Sequence, residues 1–144
     1  MDRLLQQLLA NAPDAILVAD RQGLIRYWNG GAQRMFGHTA DEAVGQSLDL
    51  IIPEKLRPRH WQGYFRVMDS GQTKYTADLL TSPGVRKDGA RVSLEFSIVL
   101  LRTDDGAIDG CAAIMRDVTT RWQRGKALQV QLAACENSEP SASN

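Results

Sequence analysis

The chain has 144 residues, and its 17 lysine and arginine residues balance its 17 aspartate and glutamate residues. That length is enough for one domain with a hydrophobic core and too short for two. Because the net charge is zero, there is no basic field to hold a phosphate backbone, which argues against nucleic acid as a direct partner. No apolar run approaches the roughly 20 residues that a membrane span requires. Cys111 and Cys135 are far apart and outside any metal-ligand spacing, so we expect a cytoplasmic domain without disulfides or membrane contact.

The N-terminal part of the chain predicts a helix followed by a hairpin. Four leucines at positions 4, 5, 8 and 9 have helical spacing, so residues 1–12 are predicted to form an amphipathic helix that Pro13 ends. Residues 15–20 and 24–28 are predicted as two antiparallel strands. Asn29 is then the predicted N-cap of a helix through Phe36, with Gly37 at its C-terminal end, and Thr39 and Glu42 form a capping-box pattern.

The rest of the chain predicts a longer helix, three strands and a terminal helix. The central helix begins at Pro53, runs to about residue 69 and is ended by Gly71. The three strands are placed at 73–83, 90–102 and 107–117, with hairpin turns at 87–89 and 104–106. A helix is predicted at 119–135, and the polar segment 136–144 is predicted to be a disordered tail.

This order of elements predicts the α+β fold class. Five antiparallel strands would form one sheet, with short helices on one face and a helix flanking the domain at each end. Such a sheet can enclose a ligand pocket between its concave face and the helices. The domain itself is predicted to span residues 13–118.

Several short motifs resemble the PAS (sensory box) family in their order and spacing. They lie at 11–16, 20–23, 27–29, 36–37, 53–54, 86–89 and 116–119, and together they cover about residues 5–120. The resemblance implies a PAS fold and a non-enzymatic signal-input module of a larger, bacterial-type signalling protein. Such a module binds a small ligand or cofactor, or mediates homodimerisation. It passes a change through its terminal helix to a kinase, cyclase or transcription output domain, as in two-component or cyclic-dinucleotide signalling.

His60 carries a further resemblance, to the haem-binding oxygen sensors of this family. That subgroup places its proximal histidine on the central helix, where His60 falls, and histidine is a common axial ligand of haem iron. Arg66 matches a basic residue near the haem edge, where a guanidinium suits a propionate carboxylate. A single histidine also fits an ordinary helix position, so a small-metabolite pocket and a haem site both stay open at this point.

Helical and strand periodicity predict which side chains line such a pocket. On the central helix, one face is shared by His60, Tyr64, Val67 and Met68. On the strands, alternate residues point to one side. The predicted wall consists of Leu94, Phe96, Ile98 and Leu100 on one strand and of Cys111, Ala113 and Met115 on the next. Small Ala113 would leave room for a planar ligand.

Leu80 departs from the pattern of the oxygen sensors. They carry an arginine on the strand after Gly71, where it hydrogen-bonds bound oxygen, and this chain has Leu80 there. Leucine cannot donate a hydrogen bond, so a haem in this pocket should favour carbon monoxide or nitric oxide over stable oxygen binding. Met115 is a candidate sixth ligand, with plain core packing as the alternative.

Two other function classes lack the residues that they need. A photosensor of this fold that forms a flavin–cysteine adduct requires a cysteine in the segment after Gly45, where this chain has Ser47 and Leu48. Non-covalent flavin stays open at this point, without a positive signal for it. Catalysis requires a nucleophile, a base and an orienting group that converge. The sequence shows no such set, so we do not expect an enzyme.

The terminal helices support a third hypothesis, a ligand-free dimerisation module. The leucine stripe of the first helix could pack on the sheet or on a second copy. Asp117 and Thr119 lie where the last strand meets the last helix, and we expect them to relay a signal between the two. Simple helix capping is the alternative role for this pair.

Overall fold

The computed structural model describes residues 2–72 and 79–138, with the backbone alone for Trp122 and residues 136–138. Its elements, in chain order, are α1 (Asp2–Asn11), β1 (Ala15–Asp20), β2 (Ile25–Trp28), α2 (Gly30–Phe36), α3 (Ala40–Ala43), α4 (Arg57–Ser70), β3 (Leu80–Val85), β4 (Arg91–Arg102), β5 (Ile108–Asp117) and α5 (Thr119–Ser138). Two 3-10 turns, Leu48–Ile51 and Glu54–Leu56, connect α3 to α4.

All five strands form one antiparallel sheet with the order β2-β1-β5-β4-β3. The N-terminal hairpin therefore joins the C-terminal strands through the pairing of β1 with β5. The helices α2, α3 and α4 contact β1, β2 and β5 respectively. The predicted α+β class and five-stranded antiparallel sheet are confirmed.

Strand periodicity decides which side chains enter the core. Alternate residues are buried along β1 and along the part of β5 that pairs with it from residue 111 to residue 115: Ala15, Leu17, Ala19, Cys111, Ala113 and Met115. These residues are direct cross-strand neighbours, so they form a continuous inner face that packs against the helices. The other side is called the outer face here, and its central residues are Ile16, Val18, Val99, Ala112 and Ile114.

The predicted helix caps between β2 and α3 are present. The Asn29 side chain accepts a hydrogen bond from the N–H of Ala32, and Gly37 ends α2 in the left-handed conformation, with φ of 86°. Thr39 and Glu42 form the reciprocal capping box at the start of α3. These local signals fix where the chain turns and bring α2 onto β1.

The central helix starts later than we predicted. Residues 54–56 form a 3-10 turn, and α4 itself runs from Arg57 to Ser70. Pro58 lies in the first turn of α4, where its missing N–H costs no helical hydrogen bond. Pro58 rather than Pro53 therefore marks the start of the α-helix. Gly71 ends it with φ of 69°, as the sequence indicates.

Two other predicted boundaries also shift. β3 continues to Val85, two residues past the predicted end, because an edge strand tolerates Pro83. The predicted strand residues 73–78 lie outside the described part of the chain. α5 continues to Ser138, so residues 136–138 of the predicted tail are helical, and the first helix breaker that follows is Pro140. Residues 139–144 lie outside the described part.

Within residues 2–72 and 79–138, no helix is both long enough and apolar enough to span a membrane.

Candidate functional site

One stripe of α4 faces the inner side of the sheet. Tyr64 and Met68 are buried, and His60 and Val67 are half-buried. These four positions repeat at helical spacing, so they share one face of α4. Arg66 is exposed, lies about 120° around the helix from His60, and makes no hydrogen bond or ion pair within the described residues.

Tyr64 connects α4 to the neighbouring strands β1 and β5. Its hydroxyl donates a hydrogen bond of 2.5 Å to the carbonyl of Asp20 at the end of β1. The thiol of Cys111 on β5 lies 3.9 Å from the same hydroxyl. Burial raises the pKa of Tyr64 above its ordinary value, and burial likewise raises the pKa of Cys111. Both groups are therefore neutral at physiological pH.

His60 carries a nitrogen that the fold leaves unused. Its ring packs edge-on against Trp61 and lies 5.7 Å from the ring of Tyr64. Its Nδ1 is shielded from solvent and has no hydrogen-bond partner within the described residues, which is uncommon for a buried polar atom. Burial lowers the pKa of His60, and the carboxylate of Asp49 opposes that shift only in part. His60 is therefore a neutral imidazole with an available buried nitrogen.

Asp49 acts on His60 through its charge but is bound to other groups. Trp61 Nε1 donates a hydrogen bond of 2.7 Å to Asp49 Oδ1, and Arg57 lies 3.9 Å from the same oxygen. The ring of Trp61 packs so closely on Gly23 that a Cβ atom there would overlap it. Asp49 therefore holds Trp61 in place beside His60 and leaves Nδ1 unbonded.

The facing wall of the candidate site is the inner side of β4 and β5. Leu94, Ala113 and Met115 are buried, whereas Phe96 and Ile98 are half-buried and packed on the core. The register pairs Phe96 with Met115 and Ile98 with Ala113, so the predicted wall residues are direct neighbours. Leu80 is half-buried on β3 and pairs with Phe96, which places an aliphatic side chain at the edge of this wall.

A short chain of hydrogen bonds holds the junction of β5 and α5. Asp117 Oδ1 accepts from the N–H of Thr119 at 2.9 Å and from its hydroxyl at 2.5 Å. The hydroxyl oxygen of Thr119 accepts from the N–H of Ser93 on β4 at 2.9 Å. The N–H of Val118 donates to the carbonyl of Ser93. The first turn of α5 is thus bonded to both long strands of the sheet.

Two organising polar groups were missed by sequence reasoning. Asn29 was expected only as a helix cap, yet it also accepts from the N–H of Ile16 and donates to the carbonyls of Leu9 and Asp14. Asp49 carries no local signal, because its partner Trp61 is 12 residues away. The cap position of Asn29 was visible in the sequence, but the convergence of three segments on it was not.

A cavity of about 390 Å³ lies elsewhere on the surface and is lined by Phe36, Gly37, Arg86, Lys87 and Asp88. It contains none of the predicted site residues. Lys87 is 2.5 Å from Glu42 there, and its hydrogen bond lowers the pKa of that carboxyl to about 2. The charges beside this cleft are thus largely neutralised as a pair.

Comparison with known proteins settles the family. A family model described as the PAS fold matches residues 9–123, which is most of the chain. The chain belongs to the PAS family. The resemblance predicted from the motifs is therefore confirmed, and PAS domains are in general sensory modules rather than catalysts.

Two curated relatives of this PAS domain are sensor proteins. The sensor protein FixL of Bradyrhizobium diazoefficiens is 29% identical over 125 residues, which cover 87% of this chain and 24% of FixL. The oxygen sensor protein DosP of Escherichia coli is 23% identical over 88 residues, which cover 61% of this chain and 11% of DosP. The chain therefore spans a quarter or less of the length of these relatives.

A solved structure supports the PAS fold independently. The PAS domain of a protein from Colwellia psychrerythraea matches with a TM-score of 0.72 and 21% identity, covering 82% of this chain and 97% of that one. At this identity the likeness concerns the fold alone. The PAS domain described here is thus of the kind found in sensor proteins, built on the ordinary sheet of that family.

Proposed function

We propose that this PAS domain is the cytoplasmic sensory input module of a larger signalling protein. It binds a small ligand or cofactor between α4 and the inner face of the sheet. Occupancy of that site shifts the sheet, and α5 passes the shift to an output domain. A ligand can drive such a change only through different affinities for the two states.

The observation that carries this proposal is the bonding of α5 to the sheet. Asp117 on β5 lies opposite Leu94 on β4, and Leu94 belongs to the inner wall of the candidate site. Because Asp117 and Ser93 both bond to Thr119, a displacement of either strand alters the first turn of α5. Asp117 and Thr119 are therefore proposed as the relay.

Native mass spectrometry tests for the ligand. The domain is expressed in bacterial cells, purified without denaturation and compared with the same sample after unfolding. We expect a small-molecule mass that disappears on unfolding. Ala113→Leu, which fills space on the inner face, should remove this mass, whereas Ala107→Leu in an exposed turn should keep it. A wild-type spectrum showing the chain mass alone would contradict ligand binding.

Haem-based gas sensing with His60 as the axial ligand is a second candidate function. The unpartnered Nδ1 of His60 favours it, as does the likeness to the oxygen sensor protein DosP. The residues fit haem in part. His60 is neutral, as ligation requires, and Ala113, Phe96 and Ile98 offer a small and apolar facing wall. When bound, haem would supply a gas-binding iron.

The second coordination shell fits haem less well. A ligating histidine normally donates its other N–H to a carboxylate, carbonyl or water, and Asp49 is held by Trp61 instead. Within the described residues, no group of three His, Cys, Asp or Glu side chains could hold a metal ion. In a haem site, His60 would therefore be the protein ligand, with Met115 as the candidate sixth ligand. Arg66, exposed on α4, remains the proposed partner of a propionate.

A haemin titration separates this candidate from the first. Haem ligation predicts a sharp Soret band that saturates at one haem per chain. His60→Ala should abolish the band, and the control His38→Ala should keep it, since His38 lies in the loop after α2. Weak and broad absorption in all three proteins would remove haem. If haem binds, Leu80 predicts stable carbon monoxide binding and poor retention of oxygen.

The packing of the core favours a third candidate, a ligand-free homodimerisation module. Tyr64 and Met68 of α4 are buried in one core cluster with Met115 of β5. A dimer that carries no small molecule in native mass spectrometry would support this candidate. In all three cases the proposed partners are a second copy and an output domain, and the proposed role is not catalytic.

A further inference from the structure

We propose that the ligand of the site between α4 and the inner face is an uncharged, largely apolar molecule with one hydroxyl group, which forms a hydrogen bond with Nδ1 of His60. The inference rests on the proposed ligand-binding function and names the chemical class of the ligand. In this role His60 contacts the ligand directly and holds no metal ion. Three properties of the site support the proposal: a polar atom without a partner, a lining without charge, and apolar side chains that are incompletely covered.

The polar atom without a partner is Nδ1 of His60. It is shielded from solvent and makes no hydrogen bond within the described residues. Such atoms are rare in native proteins, because a buried polar group loses its bond to water and gains nothing in return. A nitrogen of a neutral imidazole either carries a proton or accepts one, whereas a hydroxyl both donates and accepts. A hydroxyl group therefore satisfies Nδ1 in either tautomer.

The other polar groups of the lining are already engaged with each other or with the backbone. The hydroxyl of Tyr64 donates to the carbonyl of Asp20, and the thiol of Cys111 lies 3.9 Å from that hydroxyl. Within the described lining, His60 is thus the polar side chain left to a ligand. A ligand with one polar group matches it, whereas a second polar group would lie against apolar side chains without a partner.

The lining carries no ionised side chain within the described residues. Its members on the strands are apolar or, for the thiol, weakly polar: Leu94, Phe96, Ile98, Leu100, Cys111, Ala113 and Met115. Two carboxylates act on α4 from outside the lining by their charge, those of Asp20 and Asp49. Asp20 is paired with Arg26 at 2.6 Å. Asp49 lies 3.9 Å from Arg57. A charged ligand would lose its hydration here without gaining an ion pair, so the site selects an uncharged molecule.

The apolar part of the lining is incompletely covered. Phe96, Ile98 and Leu100 are only half-buried, although they lie on the inner face and pack against the core cluster. Val67 on the facing stripe of α4 is half-buried as well. The short side chain of Ala113 is the cross-strand neighbour of Ile98. Covering apolar surface is favourable in water, so a largely apolar molecule gains affinity by contacting these side chains.

NMR titrations of the full 144-residue chain with three probes of one shape test the proposal. The probes are para-ethylphenol, para-ethyltoluene, in which a methyl group replaces the hydroxyl, and para-ethylbenzoate, which carries a charge. We expect para-ethylphenol to bind and to shift amide signals of α4, β4 and β5. The dissociation constant of para-ethylbenzoate should be higher by about tenfold or more, because its carboxylate finds no cation in the lining.

A variant of His60 separates the hydrogen bond from apolar contact. In His60→Phe, the ratio of the dissociation constant of para-ethyltoluene to that of para-ethylphenol should fall by about tenfold or more. Val67→Ala is the matched control on the same face of α4, and it should weaken both probes equally and keep the wild-type ratio. Circular dichroism shows that each variant folds. In the wild type, the Nδ1 signal of isotopically labelled His60 should shift with para-ethylphenol and not with para-ethyltoluene.

Four results would overturn the proposal: no binding of para-ethylphenol, equal binding of para-ethylbenzoate, a ratio that His60→Phe leaves unchanged, or an Nδ1 signal that ignores the hydroxyl probe. Each of them leaves the test for a bound molecule by native mass spectrometry unaffected. A retained small-molecule mass together with any of these results would remove the ligand class and keep the ligand-binding function, so the two failures are distinguishable.

Discussion

Tyr64 contributes the one side-chain hydroxyl that joins α4 to the end of β1 within the described structure. Tyr64→Phe keeps the ring in the core and removes its hydrogen bond to the Asp20 carbonyl. We expect the free energy of unfolding to fall by about 1 kcal/mol, since that carbonyl retains the N–H of Gly23. Urea denaturation measures the change. Tyr27→Phe is the control, because the Tyr27 hydroxyl has no hydrogen bond within the described residues, and equal losses in both variants would contradict the assignment.

His60 makes stability depend on pH. Burial lowers the pKa of His60 in the folded state below the ordinary value of 6.5. Below pH 6.5 the unfolded chain therefore binds a proton here that the folded chain does not, so the free energy of unfolding falls as the pH drops and levels off below the folded pKa. Asp49 faces His60 and opposes the shift, and burial lowers the pKa of His38 in the same direction.

The His60 contribution is measured by urea unfolding between about pH 7.5 and about pH 5.5, the range in which histidine titrates. His60→Gln should reduce the loss of stability across that range. His38→Gln, the control for the second histidine, should retain the part that His60 causes. A His60→Gln profile with the same slope as the wild type would show that His60 titrates normally in the folded protein.

Residue positions on regular elements could be predicted, and polar partnerships could not. Helical spacing placed His60, Tyr64 and Met68 on one face of α4, and strand alternation placed Ala113 and Met115 on the inner wall. The bond between Asp49 and Trp61 joins a 3-10 turn to a helix, and it depends on how the two pack rather than on a local pattern.

Within the helices, two glycines are predicted to have opposite effects on stability when each is replaced by alanine. A Cβ on Gly31 in α2 would overlap the carbonyl of Asp14, so Gly31→Ala should destabilise the fold by about 1–3 kcal/mol. A Cβ on Gly63 in α4 meets open space, so Gly63→Ala should stabilise it by about 0.5–1 kcal/mol. Urea denaturation of both variants checks the signs. A neutral Gly31→Ala would contradict the close fit of α2 on the start of β1.

Element types followed from the sequence, whereas several boundaries depended on context. Caps and turn glycines located α2, α3 and the two C-terminal hairpins, because those signals act within a few residues. Pro53 gave a misleading start for the central helix, since the chain first makes a 3-10 turn and Pro58 enters the first turn of α4. The predicted end of β3 at residue 83 falls two residues short, because an edge strand has no ladder bond to lose on its free side and so continues past Pro83 to Val85.

At the scale of the whole molecule, the sheet connects three surfaces. The inner face meets α4 at the candidate ligand site, the start of β4 and the end of β5 bond to α5, and the outer face exposes Val99 and Ile114. The resemblance carried by the order of motifs predicted the PAS fold, whereas the strand order β2-β1-β5-β4-β3 could not be read from the sequence. Which apolar surfaces stay uncovered could not be predicted, since that depends on where Asn29 holds α1.

The most direct test of the account is a hydrogen-exchange cycle that links the inner face of the sheet to α5. Ala113→Leu, which fills the inner face, should change the amide exchange of the first turns of α5, and Ala107→Leu should not. Thr119→Ala, which removes the bonds of the Thr119 hydroxyl to Ser93 and Asp117, should abolish the response to Ala113→Leu. Thr120→Ala, at the exposed neighbouring position, should preserve it. Exchange in α5 that ignores Ala113→Leu, or that responds equally without the Thr119 hydroxyl, would contradict a relay from the ligand site through Asp117 and Thr119.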